Sequence, residues 1–150
     1  MHRTRRRDRG RGQALVEFSL VLIPFLIILM GVYDLGRAIY MMNGTAEAAR
    51  EIARVTVVHP FGATKDLGTS AQTTAVINTQ RGLVPNLSIT PSTDIVCVDP
   101  TDTVQPDSEC FARPDRFVRV HVRTPFEPIT PIVAMFGSHD LESYSRIDVP

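Results

Sequence analysis

Arg11–Tyr33 reads RGQALVEFSLVLIPFLIILMGVY, and its reading decides the fold. From Leu15 to Val32 it holds thirteen Leu, Ile, Val or Phe residues and one charge, Glu17. Ala14 to Tyr33 is twenty residues, and a helix of that length spans about 30 Å, the thickness of a bilayer's hydrocarbon core. The thirteen apolar residues favour insertion by roughly 4 to 8 kcal/mol in sum. An acid at the centre of the segment would cancel about 3 of that, and one near the end less. The expectation is a transmembrane helix over 14–33.

The leader sets the orientation. Residues 1–12, MHRTRRRDRGRG, contain six arginines and one aspartate, a net of +5. The chain of 150 residues has zero formal charge, so the remainder carries −5. Arginines directly before an apolar helix follow the positive-inside rule, placing the N-terminus in the cytoplasm and the rest across the membrane. A nucleic-acid-binding tail has the same composition, but the position beside the helix already accounts for the charge. The leader itself has no apolar anchor and is expected to be disordered. No A-x-A site ends the apolar core, so signal cleavage after the helix is not expected.

The helix is expected to run on to Val58. Ala38, Met42, Ala46, Ala49, Ala53 and Val57 recur at three- and four-residue steps, a narrow stripe for packing on a domain. Asp34/Arg37, Glu47/Arg50 and Glu51/Arg54 are spaced to pair three apart. Pro24 is expected to kink the membrane half, and Asn43-Gly44 to loosen a turn. Val55–Val58 is β-branched throughout and Pro60 follows, which ends the helix. The whole is about 65 Å long at the standard rise.

The rest, 59–150, reads as one small extracytoplasmic α+β domain. Residues 71–81 suggest a short helix closed by Gly82. Asn86–Val98 is strand-like with a break at Pro91, and Asp99–Pro114 reads as a polar loop. Phe117–Thr124 is the clearest strand: Val118, Val120 and Val122 face one way, Arg119, His121 and Arg123 the other, solvated way. Pro125, Pro128 and Pro131 punctuate a turn and a short apolar helix, and Leu141–Val149 closes the chain as a strand. The connections are too short for parallel crossovers, so an antiparallel sheet packed on the long helix is expected. Cys97 and Cys110 both fall in the exported part, where a disulfide is chemically permitted.

No catalytic constellation stands out: there is no G-x-S-x-G, P-loop, HExxH or Rossmann glycine pattern. The four histidines are scattered, so neither a metal site nor a cofactor is expected. The reading is of a non-enzyme. Glu17 is the residue that asks for a function, because an ionisable group in an apolar helix needs a partner. Either a neighbouring subunit's α-amino group neutralises it, or it sits at headgroup level and snorkels.

Gly12-Gln13-Ala14-Leu15-Val16-Glu17-Phe18 before an apolar helix resembles the type IV prepilin arrangement. More narrowly, residues 12–54 are similar to TadE-like proteins of the tight-adherence (Flp) pilus system. Tyr33-Asp34-Leu35-Gly36-Arg37 and the alanine-rich 46–54 segment are part of that likeness. Val118-Arg119-Val120 and the 125–131 proline segment share it more weakly, and residues 61–115 match nothing. The resemblance implies a minor pilin or pseudopilin with a pilin-like fold. A prepilin peptidase would cut between Gly12 and Gln13, making Glu17 the fifth residue and its carboxylate the group that neutralises an N-terminus during assembly. Implied partners are other pilins, the tight-adherence inner-membrane assembly proteins and the lipid bilayer, with no nucleic acid. Implied location is the bacterial inner membrane, with a surface filament as a further destination. Gln13 departs from the Phe with which many type IV pilins begin, and N-methylation stays open. The alternative from another class is an unprocessed, membrane-anchored extracytoplasmic binding domain.

Overall fold

The computed structural model describes residues 9–63, 65–130, 134, 135 and 137–150. A helix, α1, runs unbroken over Arg9–Val58, with Pro24 inside it. After it come α2 (Ala71–Leu83), α3 (Pro91–Asp94), β1 (Ile95–Val98), β2 (Val104–Gln105), α4 (Asp107–Cys110), β3 (Phe117–Phe126) and β4 (His139–Asp148). The strands form one antiparallel sheet in the order β2-β1-β3-β4. This is an α+β, pilin-like arrangement of a long N-terminal helix and a small sheet.

The chain divides into two compact units. The first comprises Met1–Arg37 and Pro128–Gly137; the second comprises Ala38–Glu127 and Ser138–Pro150.

In the second unit α1 buries Met41, Thr45, Ala48, Ala49, Ile52, Ala53 and Thr56. This face is rotated from the expected stripe: Met42 is exposed and Ala46 and Val57 are only half-buried. Threonine is the reason. Thr45 and Thr56 return their hydroxyls to the carbonyls of Met41 and Ile52, each at 2.8 Å, so they can be buried without an orphaned donor. Thr45 Oγ1 also lies 3.1 Å from Thr124 Oγ1 on β3, and with its own proton on Met41 O it accepts from the Thr124 hydroxyl. Asn43-Gly44 does not interrupt the helix. A Cβ on Gly44 would stand 3.1 Å from Val84 Cγ2, so the glycine admits a close neighbour.

On β3 Val118, Val120 and Val122 are fully buried beside Ala48, Ala49, Ile52 and Ala53 in one core cluster. β3 and β4 pair along ten residues, from Phe117↔Asp148 to Phe126↔His139. His121 corrects its expected place on a solvated face. Its side chain is only 18% exposed, because it stacks on cross-strand Tyr144 with ring centroids 4.2 Å apart.

The segments between depart further from expectation. α2 runs through Gly82 to Leu83, and Pro85 is the true stop, since it forces Val84 into an extended conformation. Before Pro91 only Ser88 pairs, in an isolated bridge to Arg123, and Pro91 then opens α3. The expected polar loop contains β2 and α4, because Asp99 organises a turn. Its carboxylate accepts from the Thr101 amide, the Thr101 hydroxyl, the Thr103 amide and Gln105 Nε2. Cys97 on β1 and Cys110 on α4 are bonded, with Cα atoms 5.6 Å apart, and both are fully buried. At the N-terminus Arg9–Gly12 are helical rather than disordered, since extending an existing helix costs far less than starting one. The rest of the leader, and most of the apolar helix expected after Pro131, lie outside the described residues.

Two outcomes are expected. Gly68 has φ +76°, and a Cβ there would meet Ile95 Cδ1 at 2.6 Å. Gly68→Ala should therefore cost about 1–3 kcal/mol in denaturant unfolding. Hydrogen bonds from the Thr101 hydroxyl, then the Thr103 amide, hold the Asp99 carboxyl below the usual carboxylate range. A depressed folded value means its stabilisation is full above about pH 4 and fades as pH falls through the folded value. Asp99→Asn should flatten that part of the stability–pH curve.

Candidate functional site

The first unit holds the residues that the sequence singles out. Gly12, Gln13 and Glu17 all lie on α1, with Gln13 and Glu17 one helical turn apart on the same face. Glu17 is exposed, and among the described residues it has no hydrogen-bond or ion-pair partner. Around it Leu15, Val16, Phe18, Leu20, Val21 and Ile23 are each more than 60% exposed. Exposure on this scale over eighteen residues is what a lipid-facing helix presents. Among the described residues this is the one helix long and apolar enough to cross a membrane. Ser19, the polar residue within the run, returns its hydroxyl to Leu15 O at 2.8 Å and so adds no unsatisfied donor.

At the far end of the run stands a site that sequence reasoning missed. Asp34 is 4% exposed, and its carboxylate accepts two backbone amides from residues about ninety-five positions away. Ile129 N donates to both oxygens, at 3.1 and 3.0 Å, and Thr130 N donates to Oδ2 at 2.7 Å. Arg37 Nη1 adds a longer contact at 3.4 Å. The expected Asp34/Arg37 pair is present, but it is the weaker part of the arrangement. Pro128 lies just before these donors, in irregular backbone, which leaves the amides of Ile129 and Thr130 free for a carboxylate. Hydrogen bonds to an ionised group are each worth about 1.5–3 kcal/mol. One hint was legible: a buried-looking acid with a single cation three residues on has more acceptor capacity than one arginine fills.

In the second unit the outward face of β3 and β4 carries a closed ionic network. Asp94 receives Arg123 Nη2 at 2.9 Å, Asp102 receives Arg119, and Arg146 lies over the Phe117 ring at 3.7 Å. His121 stands 3.8 Å from Asp94 and 3.4 Å from Glu142. The two aspartates tie α3 and the β1–β2 turn to the sheet face, and Arg119, Arg123 and Arg146 already have partners. No group of three or more His, Cys, Asp or Glu among the described residues could hold a metal ion.

A long helix, exposed and apolar in one half and one-sided in the other, leading to a small antiparallel sheet, is a pilin-like arrangement with a candidate membrane anchor. The model of a family described as TadE-like protein matches residues 12–54. Over that segment the chain is similar to TadE-like proteins, which is consistent with a pilus-associated protein. No curated protein and no solved structure matches the chain.

Removing the Asp34 carboxylate should loosen the segment it holds. In Asp34→Ala the amides of Ile129 and Thr130 should exchange with solvent about ten- to a hundredfold faster, with Asp34→Asn intermediate. Unchanged protection would show that other contacts hold the segment.

Proposed function

We propose that this protein is a minor pilin or pseudopilin-like structural subunit of a tight-adherence pilus. In this reading a prepilin peptidase cuts between Gly12 and Gln13 on the cytoplasmic side, and the sheet domain stands outside the inner membrane. The observation that carries it is Glu17, exposed and without a partner among the described residues, on a bilayer-length apolar helix five residues beyond Gly12. A lone carboxylate there is costly, and a cation from another molecule offsets the cost. The α-amino group that cutting creates on a neighbouring subunit's Gln13 is such a cation. Pairing it with Glu17 sets the axial stagger between adjacent helices.

Three further points support the reading. The family match begins at Gly12, where the proposed cut falls. The Cys97–Cys110 bond belongs to an oxidising compartment, as export requires. Leu35, Ile39 and Met42 remain more than half exposed beyond the charged Asp34, giving α1 an apolar seam for neighbouring helices. Other pilins and the tight-adherence inner-membrane assembly proteins are the partners this implies.

The mature protein should begin at Gln13 when its N-terminus is sequenced. Glu17→Ala should insert normally yet abolish surface piliation. An intact leader on functional protein, or piliation that persists in Glu17→Ala, would overturn the assignment.

A further inference from the structure

Pro128–Gly137 is a ten-residue segment without a single charge, bounded by Glu127 on one side and His139-Asp140 on the other. It belongs to the compact unit of the apolar helix and not to that of the sheet, although it connects two sheet strands. Its polarity is inverted relative to a loop that faces water. Thr130 is buried at 2%, while Ile129 is 56% and Met135 85% exposed. The Asp34 bonds hold Ile129 and Thr130 at one level along α1, immediately after the bilayer-length run ends at Tyr33.

We propose that the connection between β3 and β4 touches the membrane through Ile129 and Met135, Asp34 holding Ile129 and Thr130 at the outer end of the span so that these two exposed side chains enter the outer boundary of the lipid bilayer. This rests on the reading of α1 as a membrane anchor. The choice of lipid follows from continuity: the segment joins the apolar surface of α1 at the depth where headgroups meet acyl chains. An uncharged apolar loop is stabilised there by burying its side chains a short way into the boundary. A single span is free to tilt and rotate, and contacts at the interface are what set both. The clamped segment therefore fixes which face of α1 looks toward an incoming subunit.

The chain contains no tryptophan, so single-tryptophan variants of the full protein report local depth. Met135→Trp, Leu26→Trp and Val104→Trp would be reconstituted in phosphatidylcholine vesicles with bromine placed either near the headgroup or deep in the acyl chain. Leu26 lies in the apolar run, and Val104 is exposed on β2 in the other unit. Leu26→Trp should be quenched by deep bromine, Met135→Trp several-fold more by shallow than by deep bromine, and Val104→Trp by neither. Adding Asp34→Ala to Met135→Trp should abolish most of the shallow quenching and leave Leu26→Trp unchanged. If Met135→Trp behaves like Val104→Trp while Leu26→Trp is quenched, the segment faces water and this proposal fails alone. A blue-shifted but unquenched Met135→Trp would mean that protein covers the segment, which also overturns it. An unquenched Leu26→Trp would overturn the anchor itself and the proposal with it. Shallow quenching that survives Asp34→Ala would remove the clamp from the account.

Discussion

Three hydrogen bonds from two backbone amides to the Asp34 carboxylate mark the point on which this molecule turns. Before Asp34, α1 is apolar on every side and touches little of its own chain. After it, the helix is one-sided, with small residues on its buried face. One helix serves two environments, and a buried acid at the changeover would be a liability unless its charge were satisfied. Backbone donors from Ile129 and Thr130 satisfy it without a second buried charge. The same bonds settle where a distant, uncharged segment lies.

The sheet unit solves a different problem. A domain of this size with two- and four-residue strands buries little apolar surface per residue. It compensates by close packing and by a covalent tie. Alanines at 48, 49 and 53 share one buried cluster with the valines of β3, and Thr45 meets Thr124 on that strand. The Cys97–Cys110 bond closes a short loop around β2 and α4 and is worth about 3 kcal/mol in the chain-entropy model.

These two halves also differ in what they share with other proteins. The TadE-like match covers the helix from Gly12 to Arg54 and none of the sheet strands. In the proposed function the helix would have to satisfy a bilayer, a peptidase and neighbouring helices, and each of those constrains residue type position by position. The sheet face, with its self-paired arginines and acids, answers mainly to its own packing.

What could be read from the chain alone was whatever depends on near neighbours. Hydropathy over 14–33, the β-branched run before Pro60 and the Val118/Val120/Val122 alternation are local patterns. The helix ending at Val58, the β3 strand and the antiparallel α+β class followed from them. The three- and four-residue spacings likewise yielded the ion pairs along α1. Tertiary structure decided the rest. Which face of α1 turns inward depended on threonines whose hydroxyls could be satisfied only within the helix and against β3. β2 and α4 exist because Asp99 and a disulfide organise chain that has no periodicity. The role of Asp34 depended on amides some ninety-five residues away, and His121 left its expected solvated face because Tyr144 lies opposite it. Periodicity records how a residue relates to the next turn or the next strand position. It carries no record of which distant backbone group will arrive to fill a carboxylate's remaining lone pairs, and that arrival is what folding supplies.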